Sequence, residues 1–346
     1  MSKEIITGAE ALMRALKEEG VKTIFGYPGG SIMPVFDALY DYTRGEKKAF
    51  DHILVRHEQA ATHAAEGYAR VSDEVGVCIV TSGPGATNTL TGVADAMMDS
   101  TPIVVIAGQV GVGVLGTDAF QEVDLVGVAQ PICKWSYQIR RPEDIAWAVS
   151  RAFYIARTGR PGPVVLDFPK NAQVDKTEWK PAKVDFVRSY VPYPTPEQSA
   201  IEVAAELINS AKRPLALVGH GVELGGAQNE LVEFIEKADI PAARTLLGLS
   251  ALPTDHPLNM GMIGMHGNHR YAIQRSRHWY AIHLRKAGKE YTSRYRQLRD
   301  QQVHKVGCGC CGRLQGLPPC HHPSSQQEQP PRVARLLCRV SSAVGG

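Results

Sequence analysis

Cysteine is scarce where the sequence looks most like a folded protein. Only Cys78 and Cys133 lie in the first 268 of its 346 residues, each inside an apolar run. Two isolated thiols cannot build the disulfide framework of a small secreted domain, so reduced cysteines and a cytoplasmic setting are expected. Long hydrophobic runs are also missing. No uncharged stretch approaches the roughly 20 residues that cross a bilayer, and the N-terminal Met-Ser-Lys-Glu start lacks the apolar core of a signal peptide. Neither membrane spanning nor secretion is therefore expected. Acidic residues run short in one place only. Residues 269–346 hold three of them against 14 Lys/Arg, a net of +11, while the first 268 residues carry −8. The modest total of +3 conceals an acidic body and a basic tail of different character.

Within the body, short β-branched runs alternate with amphipathic segments. Strands are predicted at 22–25, 52–56, 75–81, 102–107 and 163–168, with helices at 32–40, 59–70, 87–98 and 142–157. Runs such as Ile103-Val104-Val105-Ile106 are apolar at successive positions, the mark of strands buried on both faces. The expected fold class is α/β: a doubly wound parallel-sheet domain over 1–168 and a Pro-rich linker over 169–197. An incomplete second α/β domain follows over 198–268, and a basic tail without regular structure over 269–346.

Three strand-to-helix loops stand out. Phe25-Gly26-Tyr27-Pro28-Gly29-Gly30 pairs two glycines where a helix N-terminus exposes backbone N–H groups. On its own it reads first as a tight strand-to-helix turn. Arg56-His57-Glu58 puts an acid where a strand hands over to an Ala-rich helix, either a dipole-favoured helix start or a ligand-binding carboxylate at a sheet edge. Thr81-Ser82-Gly83-Pro84-Gly85-Ala86-Thr87-Asn88 suits a phosphate or a simple turn with an N-cap. It lacks the Gly-Lys-Ser/Thr ending of a P-loop, which argues against nucleotide hydrolysis.

The segments FGYPGG, RHEQAATHAAEGYAR, TSGPGATN, GTDAFQE, GRPGPVVLDFPK and GMIGMHG occur here in a familiar order. In them the chain resembles the catalytic subunits of the thiamine-diphosphate-dependent acetohydroxyacid (acetolactate) synthases, nearly continuously from Glu4 to Asn268. The resemblance implies that Glu58 hydrogen-bonds the cofactor's aminopyrimidine ring and promotes loss of the thiazolium proton, with Pro84 and Asn88 also in the cofactor site. It implies that the Gly30 N–H faces the reacting carbonyl, that Phe120 and Gln121 line the substrate approach, and that Lys170 stands at the entrance. It further implies FAD held by Arg160, Gly219, Gly221, Thr245, Leu246, Gly264, Met265, His266 and Gly267. The implied reaction condenses two pyruvates, or pyruvate and 2-ketobutyrate, with loss of CO2, on the route to valine and isoleucine. The implied assembly is a homodimer or larger homo-oligomer with a regulatory small subunit. Taken without the family, Phe120 reads as a packed aromatic and Lys170 as a solvated charge. Spacing alone gives Gly219-x-Gly221 little weight as a dinucleotide fingerprint.

The family binds the cofactor diphosphate through Mg²⁺ on a third domain marked by Gly-Asp-Gly, and this sequence contains no Gly-Asp-Gly. No residue here is assigned to the metal, and the chain is expected to be inactive alone. The alternative is a non-catalytic fragment that pairs with a complete subunit. In the tail, Cys308, Cys310, Cys311, Cys320, His321 and His322 supply zinc-type ligands without finger spacing. Residues 275–299 interleave arginines with Trp279, Tyr280, Tyr291 and Tyr295 but form no nucleic-acid motif, so neither partner is expected. The abrupt change at His269 is the expected signature of a reading-frame shift. Sequencing the gene should show a family-like continuation in another frame past Asn268; an intact frame without one would contradict it.

Overall fold

The computed structural model describes residues 4–44, 46–264 and 267, and the backbone of two strands at Tyr280–Leu284 and Val306–Gly307. The chain divides into two units, 1–190 and 191–346. In the first, the order is β1 (Ile5–Thr7), α1 (Gly8–Glu18), β2 (Thr23–Tyr27), α2 (Met33–Thr43), β3 (Asp51–Leu54), α3 (Glu58–Ser72), β4 (Gly76–Val80), α4 (Pro84–Asn88) and α5 (Leu90–Asp99). It continues with β5 (Ile103–Gln109), α6 (Leu125–Ala129), β6 (Trp135–Gln138), α7 (Ile145–Arg157), β7 (Val164–Pro169), α8 (Lys170–Val174) and β8 (Lys176–Glu178).

Six of these strands form one parallel sheet in the order β3-β2-β4-β5-β7-β6. Every residue of β4 and β5 is buried, as their unbroken apolar runs require. Alternate side chains enter opposite layers. Val77, Ile79, Val104 and Ile106 pack with α1, α2 and α7, whereas Cys78, Val80, Val105 and Ala107 pack with α3 and α5. Ala61, Ala65 and Ala69 let α3 lie close to the sheet, so close that a Cβ on Gly76 would stand 2.1 Å from the Ala65 carbonyl oxygen. The chain order turns at β2, which pairs with β3 on one side and β4 on the other. Such a switch point opens a crevice at the C-terminal ends of the strands.

Three sequence expectations shift. The helix expected over 87–98 is two, α4 and α5, joined at Thr89, whose buried hydroxyl donates to the Ala86 carbonyl at 2.6 Å. Residues 170–178 leave the expected linker as α8 and β8, and β8 pairs antiparallel with β1. The edge strand β6, with its Trp-Ser-Tyr-Gln mixture, carried too little alternation to be seen.

The second unit runs α9 (Gln198–Ser210), β9 (Pro214–Val218), α10 (Gly221–Leu224), α11 (Gln228–Ala238), β10 (Ala242–Arg244), β11 (Asn259–Met262), β12 (Tyr280–Leu284) and β13 (Val306–Gly307). Its sheet is parallel, in the order β11-β10-β9-β12-β13. The last two strands fall in the tail that was expected to lack regular structure. With β10 on one side, β9 would have unpaired backbone groups on the other, and β12 satisfies them along its length. Met265, His266, the cysteines of the tail and most of its basic stretch lie outside the described residues.

The close approach of α3 to β4 is testable by denaturant unfolding of this chain. Gly76→Ala should cost about 1–3 kcal/mol through overpacking against backbone. Gly67→Ala, in the same neighbourhood but on the open face of α3, should gain up to about 1 kcal/mol.

Candidate active site at the sheet switch point

Glu58 opens α3, where the helix dipole favours a negative charge. Its predecessor His57 caps the helix by accepting from the Gln59 N–H at 3.2 Å. The Glu58 side chain is buried, 8% exposed, and its Oε2 accepts from Asn88 Nδ2 at 2.9 Å. Asn88 ends the α4 turn, so the loop after β4 supplies the partner for a carboxylate that follows β3. Gly85 makes the fit possible. A Cβ there would stand 2.6 Å from Thr81 Cγ2 and 3.1 Å from Glu58 Oε1. Pro84 sits at the first turn of α4 behind Gly83, whose φ of +56° suits glycine.

Ser31, which sequence reasoning passed over, ties the loops together. Its hydroxyl lies 3.0 Å from Thr81 Oγ1 and accepts from the Ser82 N–H at 2.9 Å. Its carbonyl accepts from Gln173 Nε2 on α8 at 2.7 Å. The Gly29-Gly30 turn is thereby fixed beside the Thr81–Gly83 loop. A Cβ on Gly30 would meet nothing within 4 Å, so this turn faces open space. A serine directly after a Pro-Gly-Gly turn was the available signal, since such hydroxyls commonly bond to nearby backbone.

Gln121 belongs to the same neighbourhood: a Cβ on Gly83 would come within 2.6 Å of its carbonyl oxygen, and its own φ is +61°. Phe120 beside it is 87% exposed, which rules out the packed-aromatic reading for this chain. Lys170 is exposed at the start of α8, after the C-terminal end of β7. The site therefore gathers Glu58, Pro84, Asn88, Gly30 and Gln121 from four loops, those after β2, β3, β4 and β5, at one sheet edge.

Arg160 does not join them. It precedes β7, at the opposite edge of the sheet, and its guanidinium donates to Ser100 Oγ at 2.7 Å and to the Met97 and Met98 carbonyls at 3.1 and 2.9 Å. Those carbonyls end α5, where a cation is favoured. In the second unit, Gly219 and Gly221 follow β9, Thr245 and Leu246 follow β10, and Gly264 follows β11 with φ of +109°. The first two loops touch: the Thr245 N–H donates to the Val218 carbonyl at 2.9 Å, and a Cβ on Gly248 would stand 2.7 Å from that same oxygen. Gly267 donates back to the Gly264 carbonyl at 3.0 Å. His220 Nδ1 is buried in this cradle without a hydrogen-bond partner, an orphaned atom of the kind a ligand satisfies.

Several buried groups are displaced from their ordinary protonation. Burial, opposed by hydrogen bonds from Gln138 and Gln109, pushes the Asp167 carboxyl up to about 6. Burial and the neighbouring Arg160 bring Lys134 down to about 7. Burial also raises both thiols, Cys133 to about 11, so neither is a nucleophile and both are free. Because Asp167 binds its proton more tightly folded than unfolded, its contribution to stability is complete below about pH 4. It is lost as pH rises through about 6. Asp167→Asn, which never ionises, should gain stability over the parent across that window, by on the order of 3 kcal/mol once above it. Urea unfolding at a series of pH values checks this; a difference independent of pH would contradict it.

Two family models match the chain: "Thiamine pyrophosphate enzyme, N-terminal TPP binding domain" over residues 6–128 and "Thiamine pyrophosphate enzyme, central domain" over 201–276. A probable acetolactate synthase large subunit of Methanocaldococcus jannaschii is 50% identical over 264 residues, 75% of this chain and 44% of the relative. The acetolactate synthase large subunit of Corynebacterium glutamicum is 49% identical over 265 residues, covering 76% and 41%. The large subunit of Escherichia coli acetolactate synthase isozyme 3 is 45% identical over 268 residues, covering 77% and 46%. The chain thus spans less than half the length of these relatives. Among the described residues, no helix is long and apolar enough to cross a membrane. With both domain models matched in order along it, the chain belongs to the thiamine pyrophosphate enzymes.

Proposed function

We propose that this chain presents the pyrimidine-binding half of an acetolactate synthase active site. The observation that carries the reading is the buried Glu58 carboxylate, held through Oε2 by Asn88 with Oε1 beside the side-chain-free Gly85. Thiamine diphosphate, when bound, supplies the electron sink that makes decarboxylation of a 2-keto acid feasible. Glu58 hydrogen-bonds a pyrimidine ring nitrogen through Oε1, donating its proton to that nitrogen and accepting it back, while Asn88 keeps the carboxyl group from turning away. The glycines at 29, 30 and 85 keep the crevice free of side chains. The Gly30 N–H is the donor for charge that develops on the substrate carbonyl oxygen. Phe120, Gln121 and Lys170 border the approach of pyruvate and of the second acceptor, pyruvate or 2-ketobutyrate.

FAD is assigned to the second unit, where the glycine-rich loops after β9, β10 and β11 and the orphaned His220 Nδ1 fit a bound dinucleotide. The residues present do not fit Mg²⁺ with a diphosphate, since the sequence lacks the Gly-Asp-Gly element. The remaining partners proposed are a second, complete catalytic subunit and a regulatory small subunit, in the cytoplasm, serving valine and isoleucine synthesis. In this reading the chain contributes Glu58 to a site completed by another chain.

The purified chain, assayed with pyruvate, thiamine diphosphate, Mg²⁺ and FAD, should form no acetolactate; robust turnover would overturn the shared-site reading. In a complete subunit carrying this segment, Glu58→Gln should lower kcat by about 10²- to 10⁴-fold, the range for loss of a proton-transfer group. Unimpaired growth of that variant without branched-chain amino acids would refute the role of Glu58.

A further inference from the structure

The 110–123 loop carries Phe120 and Gln121, and its two ends meet on one side chain. Gln109, the last residue of β5, accepts from the Val110 N–H through Oε1 at 2.9 Å and donates through Nε2 to the Val123 carbonyl at 2.8 Å. A fully buried amide thus closes a loop of fourteen residues at its base. An amide can face either way, and only one orientation serves both contacts.

The surroundings select that orientation. Asp167, on β7 and 1% exposed, places Oδ2 3.4 Å from Gln109 Nε2, and the same oxygen accepts from Gln138 Nε2 at 2.6 Å. Gln138 is itself oriented by Arg140, whose Nε donates to its Oε1 at 2.7 Å. An ionised carboxylate only accepts. Turning the Gln109 amide over would set its oxygen against two acceptors, Asp167 and the Val123 carbonyl, and strand the Val110 N–H. A second brace lies alongside: the Val112 N–H donates to Asn171 Oδ1 at 3.1 Å, and Asn171 Nδ2 donates to the Arg140 carbonyl at 3.1 Å. Within the loop, Glu122 accepts from the Gly116 N–H and, at 3.1 Å, from the Ala119 N–H.

We propose that Gln109, oriented by Asp167, is the positioning residue that clamps the 110–123 loop and so holds Gln121 against Gly83 at the mouth of the cofactor crevice. The proposal rests on the reading that Phe120 and Gln121 border the approach of the 2-keto acid. It assigns the setting of that border to two buried side chains that touch no substrate.

Hydrogen–deuterium exchange of the full chain tests the clamp without any need for turnover, so a failed activity assay leaves its outcome intact. Gln109→Met keeps the volume and removes both hydrogen bonds. It should raise exchange in peptides covering 110–123 by about tenfold, with 76–80 in β4 still protected. Asp167→Leu should do the same. Asp167→Asn, whose amide oxygen can accept from both glutamines, should stay within about twofold of the parent. Unchanged exchange at 110–123 in Gln109→Met, or loosening by Asp167→Asn equal to that by Asp167→Leu, would overturn the proposal. So would loss of protection at 76–80 in Gln109→Met, because Gln109 would then support the whole fold and not the loop.

Discussion

A carboxylate taken out of water must be given partners, and the arrangement around Glu58 follows from that requirement. The helix dipole of α3 and the Asn88 amide hold the charge; the first comes from the strand–helix junction after β3, the second from the turn after β4. Those two loops flank the one after β2 because the parallel sheet reverses its winding there. Ser31 then fastens the third loop to the second. The doubly wound topology is in this sense a device for bringing one acid, one amide and a pair of glycines to a common edge.

Much of this was legible in the sequence. Val104 to Ile106 and Val77 to Val80 announced strands buried on both faces, and the alanines of α3 announced a helix lying close to them. The three strand-to-helix loops marked the candidate site, because each carries residues that serve turns or ligands where a strand hands over to a helix. Tertiary contacts were not legible. Nothing local in Trp135–Gln138 distinguishes an edge strand from a loop, and nothing local in Lys176–Glu178 reveals that it pairs with Ile5–Thr7. Ser31, Gln109 and Asp167 matter through partners 51, 14 and 29 residues away, a range that periodicity and propensity do not reach.

Arg160 has a structural role that its local pattern does not reveal. Its guanidinium is engaged with the end of α5, a contact that also explains why it sits in a Gly-Arg-Pro-Gly turn leading into β7. The second unit carries the opposite lesson. Its alternation ends near Asn268, yet the open side of β9 is still paired by a five-residue strand from the basic segment. Backbone hydrogen bonding at a sheet edge makes weak demands on side-chain identity, so a basic segment without strand-like alternation can meet it.

The central claim is that Glu58 Oε1 is the atom this chain offers to the pyrimidine ring. A crystal structure of the chain with thiamine diphosphate tests it most directly. The account requires a ring nitrogen at hydrogen-bonding distance, about 2.7–3.2 Å, from Glu58 Oε1, with Asn88 still bonded to Oε2. A pyrimidine bound elsewhere, or one in this crevice that leaves Glu58 without a contact to the ring, would contradict it.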